Sequence, residues 1–192
     1  MRRRALVCGL AISAGLAAPL GVRTQPRTIN VDRSTLTVYA YKAGLFSAFA
    51  DNHIIRAPIE SGSISAEPSL GVELTVKAGK MVVLDLDLPA GKRADVQARM
   101  LGPEVLDTAK YPDITFTSTS VEPAATDQWK VTGRLTIRGQ TRPVTISAVR
   151  QDGHYRGSVE IRQRDFGIDP ISIAGGTVKV KDQVKIEFDI VP

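Results

Sequence analysis

The chain has 192 residues, 43% of them hydrophobic, a formal net charge of +5 and a single cysteine. That length fits one domain with a sizeable core, and the composition excludes fibrous and intrinsically disordered classes. Three of the positive charges are Arg2, Arg3 and Arg4 of a leader; the +2 or so that remains without them is too small a footprint for nucleic-acid binding.

The chain begins MRRRALVCGLAISAGLAAPLG, with a basic start, an uncharged run from Ala5 to Ala18 and small residues before Pro19. This is the layout of a secretory signal peptide, and the run is short for a membrane span. Residues 1–18 are therefore expected to be removed, with cleavage near Ala17 or Ala18. Export to the periplasm follows, with no stable membrane span afterwards. The only cysteine, Cys8, lies in the leader. The mature chain is thus expected to hold no disulfide, thiolate metal site or Cys nucleophile.

Ser34 to Tyr41 alternates and reads as a strand. Gly44 to Ala57 carries Phe46, Phe49, Ile54 and Ile55, with a break or bulge at Ala50-Asp51-Asn52. Ile59 to Ala66 and Gly71 to Lys77 are two further short strands. Met81 to Leu88 alternates cleanly, with Val82, Leu84, Leu86 and Leu88 on one face and Asp85 and Asp87 on the other. From Lys92 to Ala109 the period changes: Val96, Met100 and Leu101 recur at helical spacing. Gly102-Pro103 interrupts this helix, and Glu104 to Thr108 restarts a shorter one.

Three alternating segments joined by short polar turns occupy Leu106 to Ile146 and the residues just after. One face reads Ile114, Phe116; Val131, Gly133, Leu135, Ile137; Val144, Ile146, Ala148, while the other is mostly Thr, Arg and Ser. Tyr155 to Arg164 and Gln183 to Val191 complete the strands, the latter with Val184, Ile186, Phe188 and Ile190 on one face. Between them Asp165-Phe166-Gly167 reads as a strand end: Asp165 accepts local N–H groups, Phe166 packs inward and Gly167 permits a bend.

Eight to ten short antiparallel strands with one helical insertion point to an all-β fold. A closed antiparallel barrel of about eight strands leaves no exposed edge and has room for side chains or one small ligand. A two-sheet sandwich would show the same periodicity.

LDTAKYPDITFTSTSVEP, then WKVTGRLTIRGQTRPVTI, then RQRDFGI and the terminal VKIEFDIV resemble the YceI-like family. The resemblance spans about Ile29 to Val191 and is specific from Leu106 onward. It implies a lipocalin-like barrel over residues 29–192, typically exported, in a family where some members bind polyisoprenoid chains such as those of quinones. Many members have a histidine in the helical insertion, where this chain has Val96-Gln97-Ala98.

The expected ligand is a small amphiphilic lipid, polyisoprenoid or quinone-like, held inside the barrel with no other cofactor. Its candidate contacts are His53, Phe46, Phe49, Ile55, Leu84, Met100, Leu101, Phe116, Leu135, Phe166 and Phe188. Burial of an apolar chain at about 25 cal/mol per Å² would supply the affinity, with a few polar groups for orientation. His53, Asp51 and the segment from Lys92 to Leu106 are the candidates for the mouth. His154, in the Asp152-Gly153-His154 turn, reads as exposed and idle.

Two other readings stay open. One is a hydrolase or isomerase acting on an amphiphile, with His53 as base and Asp51 or Asp165 as helper. The other is a filled barrel serving as a stress or interaction module. G-x-S-x-G, H-E-x-x-H, phosphate-loop and dinucleotide motifs are all missing. Nothing supports a metal site, and a homodimer is left open.

Overall fold

The computed structural model describes residues 25–43, 52–65, 70–173 and 178–192. The leader with Cys8, the residues Phe46, Phe49 and Asp51, and the Ala50-Asp51 part of the expected bulge lie outside the described residues.

The described strands are β1 (Arg27–Thr28), β2 (Thr35–Ala43), β3 (His53–Arg56), β4 (Ile59–Ser65), β5 (Gly71–Lys77) and β6 (Val82–Val83), followed by helix α1 (Ala90–Leu101). After it come β7 (Asp113–Ala125), β8 (Gln128–Ile137), β9 (Gln140–Gln151), β10 (His154–Arg162), β11 (Ser172–Ile173) and β12 (Val178–Ile190). All pairings are antiparallel. They form one sheet in the order β1-β4-β5-β7-β8-β9-β10-β12-β2-β3-β6, with β11 beside β12.

The connections require this sheet to curl. In the sheet order β3 and β4 are eight strand steps apart, nearly 40 Å at about 4.8 Å per step if the sheet were flat. In the chain only Ala57 and Pro58 separate them, a reach of about 10 Å. The long strands must therefore bend round far enough to bring the end of β3 within that reach of the start of β4. Register shifts at Ser118/Ser120 in β7 and Val180/Val184 in β12 supply local bends.

The all-β class, the antiparallel pairing and the single short helix agree with expectation, but the closed barrel of about eight strands does not appear. Twelve strands are described, and no ladder joins β6 to β1 among the described residues. β6 is all that forms of the strand expected over Met81 to Leu88, and the extra strands, β1 and β11, are two residues long. Ladder pairing alone defines elements of that length, so no periodicity could announce them.

The hairpins β8–β9 and β9–β10 turn on Arg138-Gly139 and Asp152-Gly153, all four residues having positive φ. Two central residues of that kind make the tight turn whose twist matches the flanking strands. Gly102 ends α1, its N–H bonding back to the Ala98 and Arg99 carbonyls. The expected second helix is a hydrogen-bonded turn, in which the Leu106 and Thr108 amides return to the Met100 and Leu101 carbonyls. Pro103 lacks the N–H to continue a helix, and Asp107 has a φ of 48°. The strand expected to reach Arg164 stops at Arg162. A short 3-10 turn over Gln163–Phe166 follows, closed by Gly167 in the left-handed region.

The core lies on the concave side of the sheet. It includes Val76, Val83, Met100, Leu106, Phe116, Val131, Leu135, Ile137, Phe166 and Val184. A smaller cluster of Ile29, Ile59 and Ile190 packs against Leu36, Tyr155 and Phe188.

One strand is reversed in phase. Met81, Val83 and Asp85 are buried, whereas Leu84 is half-exposed and Leu86 is 88% exposed. Leu84 and Leu86 of the expected apolar face therefore point away from the core and Asp85 points in, while the strand itself ends at Val83 and Leu88, after the turn, lines the cavity. An alternating Leu-Asp run has the same period in either phase; the partner Asp85 meets inside decides between them.

Candidate functional site

The concave side of the curled sheet lines a partly open cavity of about 1160 Å³. That exceeds the roughly 300–1,000 Å³ usual for small-molecule sites. Its walls are mostly aliphatic. They include Ile114 and Phe116 of β7, Val131, Leu135 and Ile137 of β8, and Val144, Ile146 and Ala148 of β9, the inward face expected from alternation.

Two glycines keep space open beside the aromatic rings. A Cβ built at Gly133 would lie 2.5 Å from Cζ of Phe116, and one at Gly157 would lie 2.6 Å from Cζ of Phe188. Each ring therefore lies on the backbone of a neighbouring strand, where a side chain would otherwise stand. Phe116 and Phe188 both line the cavity without filling it.

Helix α1 is held beside the cavity by polar contacts of its own. Gln97 accepts the Val83 N–H at 2.7 Å and donates to the Met81 carbonyl at 2.8 Å. Arg93 donates to the Asp85 carbonyl at 3.3 Å. These contacts turn Lys92, Asp95, Val96, Arg99 and Met100 toward the cavity, the three charged residues being exposed. The segment expected at the mouth is thus at the rim. Arg27, Arg150 and Lys179 are also exposed lining residues.

His53 stands in the wall. Its cross-strand neighbours run Ala40, Val184 and Ile161, all of which line the cavity. Its Nδ1 lies 2.6 Å from Oδ2 of Asp85, and the Asp85 side chain is only 4% exposed. The other oxygen, Oδ1, accepts the Ile54 N–H at 2.7 Å. Asp85 is the one buried polar or charged residue among the described residues.

Of the expected contacts, His53, Ile55, Met100, Phe116, Leu135, Phe166 and Phe188 line the cavity. Leu84 and Leu101 do not: Leu84 follows the reversed phase, and Leu101 packs half-buried against the core. Asp165 is exposed and lies outside the lining, so it is no helper for His53. The carboxylate on His53 is Asp85, 32 residues along the chain, which local patterning does not reveal.

His154 is not idle. Its Nδ1 lies 2.6 Å from Oδ1 of Asp189, whose Oδ2 accepts from Arg156 at 2.7 Å. Trp129 and Tyr155, which the sequence reading passed over, meet edge to face at 5.5 Å in the lining. Tyr155 lies six residues along β10 from Ile161, about 20 Å away. The Trp129–Tyr155 pair and His53 therefore mark opposite ends of the cavity. Among the described residues no Asp, Glu, His or Cys cluster of three or more has metal-binding geometry, and no helix is long and apolar enough to cross a membrane.

Comparison with known proteins places these features in a family. A UPF0312 protein of Shewanella oneidensis is 28% identical over 176 residues, covering 82% of this chain and 84% of its own. Protein YceI of Escherichia coli O157:H7 is 53% identical over 45 residues, 23% of each chain. Among solved structures, BcnA of Burkholderia cenocepacia superposes with a TM-score of 0.66 at 19% identity, covering 84% of this chain and 98% of its own. A polyisoprenoid binding domain from Saccharophagus degradans gives 0.57 at 15% identity, covering 85% and 95%. At such identities these two show a shared fold. The YceI-like domain model matches residues 28–191, nearly the whole described chain, and the protein belongs to the YceI-like family.

Proposed function

We propose that the protein is an exported carrier that holds one long amphiphilic lipid, of isoprenoid or quinone type, inside its cavity. The observation that carries this reading is the cavity itself: about 1160 Å³ of space with aliphatic and aromatic walls. In such a space a flexible hydrocarbon chain gains affinity from area removed from water, without specific polar contacts along its length. The Saccharophagus degradans domain, similar in fold, is described as polyisoprenoid-binding, and the same chemistry suits these walls. In this reading the curled sheet acts as a closed, lipocalin-like container, α1 forms part of the rim, and the N-terminal leader directs the chain to the periplasm.

The His53–Asp85 pair also has the form of a base with its orienting carboxylate. Among the described residues, however, no Ser or Thr hydroxyl hydrogen-bonds to His53, and binding explains the walls better than catalysis does.

The test is native mass spectrometry of protein purified gently from a periplasmic fraction. The expected result is a chain beginning near Pro19 with a co-purified lipid of defined mass. A protein that stays ligand-free even after exposure to prenyl quinones and fatty amphiphiles would overturn the carrier reading. A mature protein confined to the cytoplasm would overturn export alone.

A further inference from the structure

We infer that His53, held by Asp85, is the site that reads the head of the bound lipid, and that this head is small and oxygen-bearing, a hydroxyl or a carbonyl. The inference rests on the carrier reading and adds the end at which the ligand is oriented and the chemistry it must present.

The argument begins with Asp85. A carboxylate placed in an apolar interior is strongly disfavoured unless both oxygens are satisfied. Here one oxygen takes the Ile54 amide and the other takes the His53 ring. No other buried polar or charged side chain occurs among the described residues. Pinning β3 to the segment after β6 does not need this carboxylate, because the Leu84 amide already bonds the Ile54 carbonyl at 2.8 Å. What Asp85 adds is a fixed ring: it occupies Nδ1 and sets the direction of Nε2.

Nε2 has no hydrogen-bond partner among the described residues, and the side chain is 20% exposed in a wall that is otherwise Ala40, Ile55 and Val184 on that side. The other charged lining residues are exposed at the rim, where water satisfies them. His53 is therefore the one half-buried lining residue that can carry a charge, and it is held in one orientation by a buried carboxylate. A ring with Nδ1 on a carboxylate accepts at Nε2 when neutral and donates there when cationic. A hydroxyl satisfies both forms and a carbonyl the second; a bare hydrocarbon satisfies neither.

The experiment compares phytol with phytane, which share a carbon skeleton and differ in the hydroxyl. Displacement titration against a dansyl-labelled prenyl probe is expected to show phytol binding about tenfold more tightly. In His53→Leu the two should bind within about twofold of each other, with phytane affinity retained. Equal binding of phytol and phytane by the unaltered protein overturns the head-reading role and leaves the carrier reading standing. Failure of both to bind overturns the carrier reading.

Should His53→Leu fold poorly, the unaltered protein labelled with ¹⁵N-histidine gives an independent answer. The chain has two histidines, so His154 serves as internal control. Phytol should move the His53 Nε2 resonance and leave His154 in place, and phytane should move His53 much less. An unmoved His53 in the phytol-bound protein means that His53 and Asp85 only brace the wall.

Discussion

At the scale of single residues, Gly133 decides whether the interior is a core or a container. The Phe116 ring rests where a Gly133 side chain would stand, and Cβ there would also meet the Thr117 carbonyl oxygen at 2.7 Å. The backbone cannot yield, so Gly133→Ala must displace the ring toward the cavity. The expected outcome is a loss of about 1–3 kcal/mol in stability, the usual cost of overpacking. A fall in affinity for long lipids that exceeds the fall for short ones should accompany it. Urea unfolding and binding of prenols of different length measure the two effects separately. Phe166 differs, being 1% exposed and fixed at the turn that ends β10. Its replacement by Ala removes wall without compensation and should cost about 3–5 kcal/mol in the same unfolding experiment.

The Asp189 carboxyl supports a prediction about pH. Burial pushes it up, but hydrogen bonds from Arg156 and His154 outweigh burial and hold it below the ordinary value of 3.8. A carboxyl depressed in the folded state stabilises the fold above its unfolded value, and that contribution fades as pH falls through the folded one. Stability should therefore drop more steeply below about pH 4 in the unaltered protein than in Arg156→Gln. Urea midpoints collected from pH 6 to pH 2 would show this. Parallel curves would mean that Arg156 does not hold Asp189.

At the scale of elements, α1 is attached through a side chain. Gln97 serves both the Val83 amide and the Met81 carbonyl, so one residue ties the helix to the edge strand β6. Gln97→Leu leaves the buried Val83 N–H without a partner, at an expected cost of about 1–3 kcal/mol. Hydrogen exchange at Val83 should quicken, and lipid should leave the cavity faster in stopped-flow displacement. Unchanged exchange at Val83 would show that β6 is held by its ladder to β3 alone.

Elements also show what could be read before folding. Gly71 to Lys77 has the expected bounds, and the inward faces of β7, β8 and β9 are those the alternation picks out. Each is a long or well-bounded run with one apolar face and one polar face, so the period determines the phase. Met81 to Leu88 fails because its phase depends on His53, and local alternation is blind to a partner that distant in the chain. His154 fails similarly: the glycine beside it reads as a solvent-exposed turn, but the β10–β12 register brings Asp189 opposite Arg156, next to the His154 ring. Closure of the barrel is not legible in the pattern, because it is a property of ladders between edge strands. Those edges here are β1, with no pattern of its own, and β6, two residues of the alternating Met81 to Leu88 run.

At the scale of the whole molecule, the cavity limits the size of the ligand. Each isoprene unit moved from water into the walls adds up to a few kcal/mol, taking about 0.8 kcal/mol per buried CH₂ as an upper bound. The gain continues only while there is wall left to cover, and the lined space is about 1160 Å³. Affinity should therefore climb steeply along a series from geraniol upward, then level off once added units extend past the rim at Arg27 and Arg150 or at Lys92 and Arg99. Because a lipid that binds only the folded chain stabilises it by mass action, the same series should raise the melting temperature. That rise corresponds to about 2.7 kcal/mol at a hundredfold excess over Kd. Thermal unfolding across the series tests both features together. A melting temperature that rises without levelling would mean that the chain lies along an open surface. One indifferent to chain length would mean that the walls do not hold the lipid at all, and the space they line would then need another occupant.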